Sequence, residues 1–405
     1  MDITSRGIFS YLKGDKAVWA LAALLAVFSF IPVYSASSNI AYLYGDGGTF
    51  KFLVEHFVHL FLGFGVIYAV HKIPYRYFKG LSYLLLPIVI VLLIWTLAQG
   101  TTIGGANASR WIQVPIVNLS FQTSTLASVV LMLYVARYLS KIFGEKISFK
   151  ESILPLWLPV FCVLILILPA NFSTAALIFA NVIILVFLGG YPIKYIGIIL
   201  GSGILILAFF ILMAKAFPGV FPNRVDTWMS RIENFSSENP TDNYQSERAK
   251  IAIATGGIAG VGIGKSVQRN FLPQSSSDFI YAIIAEEMGL IGSLGVMLIY
   301  LLLLFRIVII GTKADTVFGK LLAIGVGLPI IFQAFINMAV AVGLFPVTGK
   351  TLPLISSGGS SIWMTCLALG ILLSVSARRE ELKKQQEDEN LKNSDNPWEV
   401  LSEAI

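Results

Sequence analysis

LPQSSSDFIYAIIAEEMG, residues 272–289, is where the chain changes solvent. Before it, from about residue 217, the sequence is polar, charged and rich in Gly and Ser; after Phe279 it becomes an apolar run long enough to cross a bilayer. Asp278 stands at the change, and Glu286 and Glu287 follow inside the apolar run, about two helical turns in. Ionisable groups at membrane depth are costly and mark working sites. Any chemistry is therefore expected on one face of a membrane, around Asp278.

Outward from this stretch, apolar runs recur at 17–35, 52–70, 80–98, 123–143, 154–170, 173–190, 195–217, 280–306, 319–344 and 362–377. Mean hydropathy is +0.78, and 56% of residues are hydrophobic against 13% charged, the composition of a polytopic membrane protein. Lipid offers backbone polar groups no partner but one another, and no alternating strand pattern competes with these runs. The expected fold is all-α: a ten-helix transmembrane bundle with a large extracytoplasmic loop between helices 7 and 8. Residues 1–16 are read as a cytoplasmic N-terminus and 17–377 as the membrane domain, with outer loops 100–122, 218–279 and 345–361. Residues 378–405, rich in Lys, Glu, Gln and Asn, are read as a charged cytoplasmic tail, a short helix followed by disorder. The first apolar run is too long for a cleaved signal peptide and is expected to stay.

With the N-terminus inside, Lys and Arg gather in the inner segments, leaving roughly half as many outside, in accord with the positive-inside rule. The net charge of +6 and pI near 9.1 therefore report topology, and nucleic acid is not expected as a partner. Cys162 and Cys366 fall inside predicted helices, as packing residues do. His56 and His59 share a helix face with Glu55, which could bind metal but reads first as a packed polar cluster.

In the long outer segment, Arg224, Trp228 and Arg231 are spaced as on an interfacial amphipathic helix. Gly260, Gly262 and Gly264 could cradle a phosphate, but no strand precedes them, and small residues equally serve close packing or a re-entrant turn. Arg248, Lys250, Lys265 and Arg269 run against the positive-inside trend; they fit an anionic partner such as a pyrophosphate, or a solvated loop face. Glu286 and Glu287 are adjacent and point to different faces, so at least one is expected to hold a buried hydrogen-bond network. Asn337 and Gln333, deep in the ninth span, are expected to bond a neighbouring helix, and Ser356, Ser357, Gly358, Gly359 and Ser360 to allow close backbone approach or substrate contact.

Three runs carry a resemblance: GGIAGVGIGKSVQ (256–268), LPQSSSDFIYAIIAEEMGLIG (272–292) and GLFPVTGKTLPLISSGGSS (343–361). They resemble the signatures of the SEDS family (shape, elongation, division and sporulation) over nearly the whole chain, and GKSVQ and GKTLPLISSGG look more like its division member than its elongation member. The resemblance implies a peptidoglycan glycosyltransferase that polymerises lipid II, an undecaprenyl-pyrophosphate-linked substrate, at the outer face of the cytoplasmic membrane during septal synthesis. It implies as partners a class B penicillin-binding transpeptidase and other divisome membrane proteins, and an essential role for Asp278. The physical logic agrees: an acceptor sugar hydroxyl must lose its proton as it attacks, and an ordinary carboxylate can accept it. The departing lipid pyrophosphate calls for fixed cations or a divalent ion such as Mg or Mn. Lys265, Arg269, Arg248 and Lys350 are the candidate cations, with Ser356, Ser357, Gly358 and Gly359 beside them.

Arg110 and Trp111, in NASRWI (107–112), fit the family pattern at the outer interface. Two segments depart from it. Where many members have Gln-Pro-Ser-Glu followed by Lys, this chain has Gln122, Thr123, Ser124, Thr125 and then Ser128; Pro-Asp-x-Gly-Thr appears as Pro169, Ala170, Asn171, Phe172, Ser173 and Thr174. Both changes lose an acid and leave Asp278 as the main candidate. A lipid II flippase working through Glu286 or Glu287, and a non-catalytic divisome scaffold in which Asp278 is replaceable, are the alternatives.

Overall fold

Apolar side chains all round a segment leave lipid as the natural solvent for its surface and the helix as the only way to pair its backbone. The computed structural model describes residues 12–44, 48–99, 102–103, 106–107, 111–114, 119–145, 147–216 and 244–394. Its helices are α1 Lys16–Tyr44, α2 Gly48–Val70, α3 Arg76–Gln99, α4 Thr123–Ile142, α5 Phe149–Ile167, α6 Phe172–Leu188, α7 Ile193–Ala216, α8 Tyr244–Gly256, α9 Ile280–Lys313, α10 Val317–Ala341 and α11 Gly359–Ser394. Among the described residues, nine of these are long and apolar enough to cross a membrane, and α6, also apolar, is shorter. The chain is a multi-pass, all-α membrane protein. The polar α8 packs against α9.

α10 and α11 form the centre, with 61% and 78% of their most apolar windows buried inside the protein; α7, at 12%, keeps nearly all its surface for lipid. α10 packs on α4, α6, α9 and α11, while α1 lies between α2 and α9.

Four features differ from the sequence expectation or extend it. α9 runs past residue 306 to Lys313 and α11 past 377 to Ser394, because a helix that leaves lipid continues where its polar residues are themselves helix formers. Within 100–122, two antiparallel hairpins stand, β1 Thr102–Ile103 with β2 Ala106–Asn107, and β3 Trp111–Val114 with β4 Leu119–Gln122. α5 contains a π-helical turn at Ile153–Trp157, around Pro155, which has no N–H to donate. α9 is two helices joined at Gly289, whose φ of +64° and ψ of −161° are not helical.

At the end of the bundle where α1 begins, Asp15 caps that helix, its Oδ1 accepting from the backbone N–H groups of Ala17 (2.9 Å) and Val18 (3.2 Å). Arg306 pairs with the same carboxylate, the Asp15 N–H donates to Ser376 Oγ at 2.9 Å, and Lys13 Nζ donates to Glu381 at 2.8 Å. Arg224, Trp228, Arg231 and Arg110 lie outside the described residues.

Candidate functional site

The opposite end of the bundle gathers three segments that the sequence had singled out. The first is the loop 272–278, which delivers Asp278, half-buried, one residue ahead of the N-cap of α9. Its turn is closed by the Ser277 N–H on the Gln274 carbonyl at 3.0 Å, and Ser275 Oγ reaches the Ala36 carbonyl of α1 at 3.4 Å.

The second segment, 342–358, grips this loop carbonyl by carbonyl. Ser357 donates to the Ser276 carbonyl through its N–H (2.9 Å) and its hydroxyl (3.0 Å), and Ser356 Oγ donates to the Ser277 carbonyl at 2.6 Å. Asn337 Nδ2, from α10, takes the Asp278 carbonyl at 2.7 Å and the Lys350 carbonyl at 2.6 Å. Gln333 Nε2 donates to the Thr351 carbonyl at 2.9 Å, and Tyr300 OH donates to that of Pro353. Asn337 and Gln333, expected to bond a neighbouring helix, thus bond loop backbone instead; the loops cover the top of α10 and present carbonyls that no helix satisfies. Gly359 opens α11 against His59, where a Cβ would lie 2.4 Å from the imidazole Nε2; Gly358 is less crowded, its nearest contact 3.6 Å away.

The third segment, 256–270, lies across the break in α9. Carbonyls freed at the break are taken up by the glycine run: Val261 N–H donates to Glu286 O and Gly262 N–H to Glu287 O, each at 3.0 Å. In return, the Leu290 N–H donates to Gly257 O at 2.9 Å. A Cβ on Gly260 would sit 2.1 Å from the Glu287 carbonyl oxygen, and one on Gly289 2.4 Å from the Gly260 nitrogen. The run therefore packs on a broken membrane helix. The acids follow the same logic. The Glu286 carboxylate, fully buried, accepts from Ser266 Oγ and from the backbone N–H groups of Val267 (2.9 Å) and Gln268 (3.2 Å). Glu287, 2% exposed, accepts from Ser35 Oγ of α1 and from the Ser266 N–H at 3.3 Å. Both acids hold the network, one in each direction.

The candidate cations are held differently. Arg269 Nη1 donates to the hydroxyl (3.0 Å) and carbonyl (3.3 Å) of Ser35, which ties it to the same network. The Arg248 guanidinium lies over Tyr244 and Phe271, 5.1 and 4.8 Å from the ring centroids. Lys265 is exposed, and Lys350 is buried at 8%. Lys350 also lines a cavity of about 60 Å³ between α4, α6, α10 and α11. Its wall includes Ser124, Thr125, Ser128, Thr174, Asn181 and Gln333, so the two segments that lose acids meet at one chamber in which, among the described residues, Lys350 is the one charged side chain. Among the described residues, no group of three or more His, Cys, Asp or Glu side chains could hold a metal ion. His56 Nε2 is 2.7 Å from Ser29 Oγ, and His59 Nδ1 is 2.7 Å from the Glu55 carbonyl, as packed polar groups are.

Sequence reasoning did not find Ser35, Ser266 or Gln268. Ser266 and Gln268 lie in GKSVQ, where the motif pointed at the segment though not at them; Ser35 is a lone serine in an apolar helix and gives no signal.

Residues 15–381 match the family described as "Cell cycle protein", which groups FtsW, RodA and SpoVE. A probable peptidoglycan glycosyltransferase FtsW of Geobacter sulfurreducens is 36% identical over 372 residues, 90% of this chain and 95% of that protein. The protein of the same description from Idiomarina loihiensis is 31% identical over 377 residues, 92% and 89% of the two chains. Among solved structures, a chain from "Structural coordination of polymerization and crosslinking by a peptidoglycan synthase complex" superposes with a TM-score of 0.70 at 27% identity, covering 90% of this chain and 98% of that one. The rod shape determining protein RodA of Thermus thermophilus does so at 0.65 and 25% identity, covering 91% and 98%. With the family matched over residues 15–381 and relatives over about nine-tenths of the chain, it belongs to the FtsW, RodA and SpoVE family of cell cycle proteins, the SEDS family that its motifs resemble.

Proposed function

We propose that the chain is a peptidoglycan glycosyltransferase of the FtsW type, polymerising lipid II into glycan strands at the outer face of the cytoplasmic membrane, at the division septum, with both termini cytoplasmic. The observation that carries the reading is Asp278: a half-buried acid whose loop has three successive carbonyls pinned by Ser357, Ser356 and Asn337, so the backbone that bears it is fixed. The relatives named above supply the reaction class.

In the reaction, the acceptor hydroxyl oxygen attacks the anomeric carbon of the donor, its proton passes to the Asp278 carboxylate, and the bond to the lipid pyrophosphate breaks with its electron pair on the departing oxygen. One displacement inverts the centre, turning an α-linked donor into a β-linked strand. Charge on the leaving group is met by cations: Lys265 is free to reach solvent-borne phosphate, while Arg269 and Arg248 are held at the same end by Ser35 and by two aromatic rings. Lys350 carries its charge into the chamber behind the loop. Were a divalent ion, Mg or Mn, to bind, the Asp278 carboxylate and the substrate pyrophosphate would hold it, and the carboxylate would then serve as ligand in place of base. Bound there, the ion would neutralise charge on the pyrophosphate.

The similarity to a chain from a peptidoglycan synthase complex supports a partner, which we take to be a class B penicillin-binding transpeptidase among other divisome membrane proteins. The test is polymerisation of lipid II by the purified chain with that partner. Asp278→Ala and Asp278→Asn are expected to lose about 10²–10⁴-fold in rate, the usual worth of a positioned base. Polymer from both at the parent rate would remove Asp278 from the chemistry, and lipid movement across vesicles without polymer from any protein would favour a flippase.

A further inference from the structure

We propose that Asn337 is a positioning residue for the transfer, holding the backbones of Asp278 and Lys350 in one register with a single side-chain amide. The inference rests on the reading of Asp278 as the base and goes beyond it. Asn337 is 1% exposed on α10, and its Nδ2 donates at 2.7 Å to the Asp278 carbonyl and at 2.6 Å to that of Lys350. A primary amide has two N–H groups, and both are spent on these loops. The orientation is dictated by chemistry: with oxygen and nitrogen exchanged, Oδ1 would face two carbonyl oxygens. Oδ1 itself is buried with no hydrogen-bond partner. Leaving a buried acceptor unmatched is costly, so the side chain forgoes a bond of its own to keep both donors on the loops.

Ser356 and Ser357 fasten the carbonyls of Ser277 and Ser276, and Asn337 takes that of the acid-bearing residue from the core helix α10. Buried as it is, Asn337 does not meet the substrate. It acts through the placement of the carboxylate, and a misplacement of about 1 Å at a reacting group can cost 10²-fold in rate. Losing the clamp should therefore lower kcat and leave the affinity for lipid II nearly intact.

The experiment measures lipid II polymerisation by the full chain with its transpeptidase partner, comparing the parent with Asn337→Leu, of similar size with no donor, Asn337→Asp, with at most one, and Asp278→Ala. Expected is a fall in kcat of about 10- to 100-fold for both Asn337 variants with KM within threefold of the parent; the unfolding temperature falls, since two loop carbonyls lose this donor, while the variants still fold and co-purify with the partner. If Asn337→Leu does not assemble, Asn337→Asp supplies the measurement; failure of both to assemble would make the residue a folding element and overturn the inference. Parent-like kcat in both variants beside an inactive Asp278→Ala would also overturn it, as would a rise in KM at unchanged kcat. An active Asp278→Ala would instead bring down the reading of the base.

Discussion

Glu286 and Glu287 show how adjacent acids can lie inside a membrane protein without being its chemistry. Each carboxylate is surrounded by hydroxyl and backbone donors, and together they attach the segment 266–268 and helix α1 to α9. Hydrogen bonds to a charged group contribute about 1.5–3 kcal/mol each, and Glu286→Ala leaves Ser266, Val267 and Gln268 without their acceptor. We expect that variant to lose several kcal/mol, read as a large drop in the unfolding temperature of the detergent-solubilised protein, and Glu286→Gln to lose less. Asp278→Ala, by contrast, removes a half-buried side chain and should leave the unfolding temperature within a few degrees. That pairing separates a structural acid from a reactive one. Asp278 was legible in the sequence because a charge standing where polar sequence meets apolar sequence announces itself. Ser35 was not, since its side-chain partners lie more than 230 positions away and local pattern carries no record of them.

At the level of elements, the glycine run of 256–264 is explained by the break at Gly289. A membrane helix can stop only where something else takes its backbone groups, and here the run supplies the N–H groups of Val261 and Gly262. Gly260→Ala would drive a methyl group into the Glu287 carbonyl oxygen at a φ of +81°. Neither party is a flexible side chain, so the cost should be about 3 kcal/mol or more. The measurement is the folded yield and unfolding temperature, and a variant as stable as the parent would contradict the packing described. Hydrogen exchange gives a second check: the amides of Val261 and Gly262, though they read as loop, should exchange as slowly as those of α9. The packing role of the run was legible from its missing strand. The break was not, because Gly289 is one of several glycines in an apolar run and hydropathy is blind to φ. The hairpins of 102–122 escaped for a related reason: strands of two to four residues are too short to show a period.

Over the whole molecule, the multi-pass helical architecture was the most legible property, since lipid imposes length and apolarity on every crossing. Contacts between distant segments had no such signature, and the cluster of Asp15, Arg306, Ser376 and Glu381 is one of them. Asp15 is largely buried and Arg306 one-third exposed, so a double-mutant cycle with Asp15→Asn and Arg306→Gln should return a coupling of about 1–3 kcal/mol in thermal unfolding. A coupling near zero would show the pair to be incidental. Its place in the bundle gives it a larger meaning. α1 is pinned to α9 twice, through Ser35 to Glu287 on one side of Gly289 and through Asp15 to Arg306 on the other. The first helix is thus a splint across a fractured rod: flexing at the fracture must stretch or slide it, and releasing either pin turns a rigid column into a joint.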